Sequence, residues 1–376
     1  HATTFIPDAS QLYPASVTNA LSQTTASLYD YSAGKATQTI DPNGAIVQVV
    51  FDGLDRVIEE KQSSVATPST LETKTTFTYT QQSIGTQMLK TDWLDSSIAR
   101  VGYAYTDGFD RPIQTRTEAE GADTFVVVDT VYDTREYVWK QSLPYLDSGV
   151  AWMPAITIPA LLSTFTTDAL GRTTNLATVV GNTSTVYDQW VATVTDPRGI
   201  AKAFGRDAFD RLVTVTEYNG AVSYLTNYVY NVRGDLTSLT DAFGNTRAFS
   251  YDGLSRRLTA QDLHAPGDTT FGTWTYAYND AGNLTSSVNP KAQTVQYTYY
   301  ALNRRLTENF TGAAGTEVTF AYDSCSNGIG RLCATTQATV SDSRVYDALG
   351  RMSSQTRTIE GTPYATAFTY DRQGNQ

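Results

Sequence analysis

The strongest constraint on this chain is an internal repeat. From Tyr230 to Arg256 it reads YNVRGDLTSLTDAFGNTRAFSYDGLSR, with reversal signals at Asn231, Asp241 and Asp252. The stretches between them are about six residues long and rich in Thr, Leu, Phe and Tyr, the length and make-up of β-strands. Tyr230 and Tyr251 lie 21 residues apart, and so do Tyr278 and Tyr299 in otherwise unlike sequence. An interval of ten residues links Asp41 to Phe51, Asp196 to Arg206, Asp241 to Tyr251 and Asn289 to Tyr299. Such matched spacings mark a repeat array.

One turn recurs seven times: DGLDR at Asp52, DGFDR at Asp107, DALGR at Asp168, DAFDR at Asp207, DGLSR at Asp252, YALNR at Tyr300 and DALGR at Asp347. The first residue is Asp in all but one copy. Its side chain can accept the backbone N–H two residues on, an Asx-turn that starts the reversal. The fourth residue is Asp, Gly, Asn or Ser, types that tolerate the positive φ of a tight hairpin. The third is Leu or Phe throughout (Leu54, Phe109, Leu170, Phe209, Leu254, Leu302, Leu349), which predicts a hydrophobic plug onto a neighbouring layer. The fifth is always Arg: Arg56, Arg111, Arg172, Arg211, Arg256, Arg304 and Arg351. It can reach the Asp of its own or an adjacent turn, or lay its stem over a Tyr ring. The structural residues are therefore Asp52, Asp107, Asp168, Asp207, Asp252 and Asp347 with these arginines. A second turn class carries Gly four residues after Tyr, at Tyr230, Tyr278 and Tyr370, and alternates with the first through Tyr230–Arg305.

The flanks bound the array. Residues 1–28 show no clear repeat and read as an irregular lead-in. Between about 61 and 165 the motif is diluted, and PYLDSGVAWMPAITIP from Pro144 breaks it. That stretch reads as loop-rich or inserted, within a single array over 29–376. The chain begins at His1 and ends at Gln376 inside a turn motif, so it reads as a segment truncated at its C-terminal side.

Composition excludes several function classes. Charged residues make up 17% and aromatic ones 11%, too aromatic and too weakly charged for disorder. The net charge of −11 comes with no basic stripe, which argues against a nucleic-acid partner. The apolar run Ala151–Leu162 is too short to cross a bilayer as a helix and holds two prolines. Cys325 and Cys333 flank SNGIGRL; the inner Asn327-Gly328 is a turn signal, so the pair either bridges a hairpin or forms two ordinary buried thiols. Neither His264 nor His1 lies near the cysteines in sequence, so no metal site is expected. His264, in LHAPGD, reads as a surface-loop residue. The turns at Asp41 and Asp196 lack the alternating oxygen ligands of a calcium loop. No catalytic constellation and no cofactor site is expected.

The units YDALGRM at Tyr346, YDGLSRRL at Tyr251, YNDAGNLT at Tyr278 and YDRQGN at Tyr370 resemble YD repeats. These define the RHS proteins, the shell-forming B and C components of bacterial insecticidal toxin complexes, and the teneurins. The resemblance spans roughly residues 29–376. It implies an all-β fold, a YD-repeat array of antiparallel β-hairpins forming a curved, spiralling strip that is part of a hollow β-shell. It also implies a non-enzymatic role in a secreted or cell-surface bacterial polypeptide: enclosing and shielding a C-terminal toxin or effector domain. The implied partners are that cargo, the remaining shell repeats and other toxin-complex subunits. The family's aspartate-based self-cleavage segment has no counterpart here, so no cleavage residue is assigned. The alternative is a surface adhesion or carbohydrate-binding β-array, in which the Tyr columns face glycans.

Overall fold

The computed structural model describes residues 3–154, 162–310 and 317–376. Strands form where Thr, Tyr and aliphatic residues alternate between turn signals. In Val222–Tyr230, Tyr224, Thr226, Tyr228 and Tyr230 are half-buried while Ser223, Leu225, Asn227 and Val229 are exposed. Among the described residues there are 32 strands, all joined in one open sheet. Among the described residues no helix is long and apolar enough to cross a membrane.

Except around Val138–Ser142 and Tyr145–Ser148, each strand pairs antiparallel with its neighbours in sequence, so the sheet is a ribbon of hairpins. Turns therefore alternate between its two long edges. One edge carries the turns at Asp52, Asp107, Asp168, Asp207, Asn231, Asp252, Asn279, Asp347 and Asp371. The other carries those at Asp41, Asp196, Asp241 and Asn289. The two Tyr-linked turn classes thus share one edge, and the 21-residue spacing is one complete hairpin. Just before these turns the register slips at Phe51, Tyr230, Tyr251, Tyr278 and Tyr346. Such bulges re-aim the side chain and bend the strand.

Two expectations are corrected. The lead-in is not irregular: Thr4–Pro7, Pro14–Thr18 and Thr24–Asp30 are strands. Tyr13 and Tyr29 stack with ring centroids 4.6 Å apart, and the Tyr29 hydroxyl donates to the Pro14 carbonyl, so the repeat begins here without its turn signature. Nor are the described residues of the stretch at about 61–165 mostly loop. It holds long strands, including Leu71–Gln82 and Gly85–Trp93. Longer strands stretch the spacing, and that is why the motif thins out. The apolar run's residues 155–161 lie outside the described residues.

The ribbon is irregular at one point. Thr124–Tyr132 pairs along one side with both Val138–Ser142 and Tyr145–Ser148, which run in line across Pro144. Residues 149–153 then cross the face of the sheet as a strap, their carbonyls at Gly149 and Met153 taken by Arg116 and Gln114. Beneath it lies the most buried part of the chain: Tyr105, Gln114, Arg116, Phe125, Val127 and Asp129.

The ribbon also meets itself. Asn43, on the second edge, donates from Nδ2 to the Ile329 carbonyl at 3.0 Å and accepts the Ile329 N–H at 2.9 Å, across 286 residues. Gln62 donates to the Arg372 carbonyl at 2.9 Å, across 310 residues. The Tyr–Asp edge of the last hairpins therefore sits on the opposite edge of the first ones. The sheet does not close strand to strand; it overlaps as a spiral.

Candidate functional site: the spine of turns, the seam and the strap

Each five-residue turn is built the same way. Asp52 Oδ1 accepts the backbone N–H groups of Leu54 (2.9 Å) and Arg56 (3.0 Å), while Oδ2 accepts Arg56 Nε (2.8 Å) and Nη2 (2.7 Å). The turns at Asp107, Asp168, Asp207, Asp252 and Asp347 repeat this pattern. The fourth residue has positive φ in every copy: Asp55, Asp110, Gly171, Asp210, Ser255, Asn303 and Gly350. The side chain and backbone N–H of Arg56 hold the Asp52 carboxyl below its ordinary range. Arg211 acts the same way on Asp207, its side-chain hydrogen bond being the largest cause.

The Arg then faces outward to the next hairpin. Its guanidinium lies over a Tyr ring: Arg56 over Tyr79 (4.2 Å), Arg111 over Tyr132 (4.6 Å), Arg172 over Tyr187 (4.2 Å), Arg256 over Tyr278 (5.1 Å) and Arg351 over Tyr370 (4.8 Å). That Tyr's hydroxyl donates back to the carbonyl just after the Arg. Tyr79 bonds Val57, Tyr230 bonds Leu212, Tyr278 bonds Arg257 and Tyr370 bonds Met352, at 2.9 to 3.1 Å. Arg211, Arg256 and Arg351 also donate through Nη1 to carbonyls of the next turn, Asn231, Asn279 and Asp371. Asp, Arg and Tyr thus form a spine along one edge, each turn locked internally and stitched to the next.

The exceptional copy shows the logic. Tyr300 replaces the Asp, so Arg304 finds no carboxylate in its own turn; it lies over the Tyr300 ring at 4.8 Å and pairs with Asp323 of the following turn. One turn of this edge escaped the motif. Asp133 accepts Arg135 N–H at 2.8 Å and Tyr137 N–H at 3.0 Å, but its Arg stands in the third place.

The third-place hydrophobes do not plug a neighbouring layer. Leu54, Phe109, Leu170, Phe209 and Leu254 are all more than 70% exposed. A single-layer ribbon offers nothing to cover them along most of this edge. Only Leu302 and Leu349 are half-covered. The result is an open apolar rim.

Where the ribbon overlaps, the same edge is satisfied. Arg372 Nη1 donates to the Thr73 carbonyl (3.0 Å) and its Nε lies 3.3 Å from Glu72; Gln373 Nε2 donates to the carbonyls of Lys74 (2.7 Å) and Trp93 (3.0 Å). Ser63, Ser64 and Thr75 are buried here, and Ala348 is buried in a turn on the same edge as Arg372. Cys325 and Cys333 are joined, Cα atoms 5.5 Å apart, in the loop that presents Ile329 to Asn43.

The strap is pinned by polar groups. Arg116, fully buried, donates to Asp147 Oδ2 (3.0 Å), Gln114 Oε1 (2.9 Å) and the Gly149 carbonyl (2.9 Å). Gln114 Nε2 donates to Asp129 Oδ1 (2.7 Å) and the Met153 carbonyl (3.0 Å). The Tyr145 hydroxyl donates to Asp129 Oδ2 at 2.9 Å, and burial, with that bond, pushes its phenol up. Gln114 and Arg116, two apart on one strand, were the available signal, but alternating polar residues usually mark an exposed face. Gln114, Arg116 and Asp129 are buried at its centre while Tyr145 and Asp147 are half-buried at its margin, and the hydrogen bonds named here join no nucleophile to a base.

The remaining candidates are ordinary. His264 stacks on Phe271 at 3.7 Å and bonds the Asp262 carbonyl, inside an edge loop. Asp41 and Asp196 cap their own turns through Asn43, Ala45, Arg198 and Ile200 N–H groups. No group of three or more His, Cys, Asp or Glu among the described residues is placed to hold a metal.

Comparison with known proteins agrees with this geometry. The RHS Repeat family matches residues 230–270. No curated protein matches in sequence. Among solved structures, the TcdB2–TccC3 complex superposes with a TM-score of 0.80 at 15% identity, covering 99% of this chain and 24% of that one. The same complex without its hypervariable C-terminal region gives 0.80 at 14% identity, covering 99% and 26%. The Photorhabdus luminescens Tc holotoxin pore carrying a TccC3 mutation gives 0.79 at 13%, again covering 99% and 26%. The chain spans about a quarter of the length of these relatives. Residues 230–270 therefore match an RHS repeat, and the fold of the chain is similar to that of these toxin-complex structures.

Proposed function

We propose that the chain is a stretch of shell wall in a secreted, toxin-complex-type RHS polypeptide, and that the wall encloses and shields a C-terminal effector domain. The observation that carries this is the seam. After 286 to 310 residues the Tyr–Asp edge comes round onto the opposite edge, while the rest of that edge keeps its apolar rim open. A ribbon that overlaps in this way winds into a wall, and the rim is where a further revolution of repeats would dock. Its function is non-enzymatic. Partners under this reading are the enclosed domain, the remaining repeats and other toxin-complex subunits, outside the producing cell.

The motif tyrosines favour the shell over a glycan-stacking platform. The hydroxyls of Tyr230 and Tyr278 are committed to backbone carbonyls and one face of each ring to an arginine, which leaves less of each to offer a sugar. Limited proteolysis with mass spectrometry on the native full-length product tests the proposal. A C-terminal fragment of unrelated sequence that is cleaved yet remains protected and associated is expected. An array that ends in further repeats or an anchor, with nothing enclosed, overturns it in favour of adhesion.

A further inference from the structure

The Cys325–Cys333 loop differs from every other described turn on its edge that carries the Asp cap. Asp323 to Arg331 is nine residues long where the motif turns have five, Asp52 to Arg56 for example. The cap that locks the short turns is also diverted. Asp323 takes Arg304 from the preceding turn and the Gly330 N–H, rather than the N–H groups two and four residues on. Left to itself a loop of this length is mobile. It nevertheless has to place Ile329 accurately, because both Asn43 hydrogen bonds of the seam go to Ile329 and Arg331 lies 3.7 Å from Asp41. The bridge spans that loop at a sequence separation of 8, and Gly328 lies against both sulfurs, where a side chain would collide with them.

We propose that the Cys325–Cys333 bridge is a thiol-sensitive staple of the seam: intact, it presents Ile329 and Arg331 to the first revolution, and reduced, it lets the two revolutions part there. The inference does not depend on what the ribbon encloses. Cys333 is buried and Cys325 half-exposed, so a dithiol reductant reaches Cys325 first. Its thiolate bonds to Cys325 Sγ and the S–S bond breaks. The electron pair leaves on Cys333 Sγ, which takes a proton from water. The reductant's second thiol then attacks the mixed disulfide, frees Cys325 as a thiol and closes the reductant into its own disulfide. Two electrons pass from reductant to protein. A chain made in an oxidising compartment would carry the staple closed, and a thiol-rich one would open it.

Hydrogen exchange of the full chain, read by mass spectrometry with and without dithiothreitol, tests this. Reduction is expected to speed exchange about tenfold or more in 323–333 and also in 41–46, across the seam, while 207–256 stays unchanged. The double variant Cys325→Ser, Cys333→Ser should behave as the reduced protein without reductant. Asn43→Ala should loosen 41–46 with the bridge intact. Faster exchange confined to 323–333, or spread over 207–256 as well, overturns the proposal. So does the finding of two free thiols before reductant is added.

Discussion

Two turns on the same edge, Asp252–Arg256 and Asp347–Arg351, have nearly the same sequence and opposite surroundings. Internally they are alike: each Asp caps two N–H groups and pairs with its own Arg. Outside they differ. Leu254 is 72% exposed and a Cβ added at Gly253 meets nothing, whereas Ala348 is buried and Leu349 half-covered in the docked region. The turn sequence therefore encodes two things. Asp, Arg and the fourth residue make the hairpin. The second and third residues are covered in the turn that lies beside the Arg331 loop and bare in the one that does not.

Substitutions can break or sharpen this contrast. The largest effect is expected at the strap, the other place where the ribbon is covered. Arg116→Met strands Asp147, Gln114 and two carbonyls, and should cost about 3 kcal/mol in urea unfolding. Next come matched turns. Ala348→Gln forces a longer side chain into the buried docked turn and should cost about 1–3 kcal/mol, while Ala208→Gln in an open turn should stay within about 0.5 kcal/mol. Equal costs would mean that docking is not what buries Ala348. Smaller again are Tyr230→Phe and Tyr370→Phe, each removing one hydroxyl-to-carbonyl bond of 2.9 Å. Both should cost about 1 kcal/mol, because the spine is the same whether or not the edge is docked.

The smallest effect is acid dependence. Asp52, Asp207 and Asp252 have lowered carboxyl pKa values, so their contribution is present above the unfolded carboxylate pKa and is lost as pH falls through the folded one. Melting temperature should therefore fall below about pH 4. Arg211→Gln should flatten that fall, and an unchanged profile would remove the Asp–Arg pair as its cause.

Much of this was legible in the residues because the turns are local. Asp, a residue tolerant of positive φ, and Arg within five positions specify their own hydrogen bonds. The stitching Tyr follows its Arg at a variable distance, from 15 residues (Arg172 to Tyr187) to 23 (Arg56 to Tyr79), so an Arg–Tyr contact could be anticipated but not every pairing. The edge each turn occupies was harder to see, since both Tyr-linked classes fall on one side only once the hairpins are counted. The fate of Leu54 or Phe209 was not legible at all: cover for these residues must come from about 300 residues away in sequence, as the docked hairpins show. The strap was visible only as a break at Pro144, because the meaning of Gln114 and Arg116 depends on the segment that returns to cover them.

The seam fixes a girth. Between Asn43 and Ile329 the chain lays down 24 strands, from Ile46–Phe51 to Val318–Tyr322. Two of them, Val138–Ser142 and Tyr145–Ser148, run in line as a single rung. At about 4.8 Å per rung, one circuit is ~110 Å around and ~35 Å across between backbones. Side chains reaching ~5 Å inward from a sheet of ~10 Å packing depth leave a bore of ~25 Å. A folded domain of ~100 residues, with a radius of gyration of ~13 Å, is wider than that. With strands square to the circuit, a polypeptide held at this level of the ribbon would lie there extended or incompletely folded, and strand tilt would widen the bore.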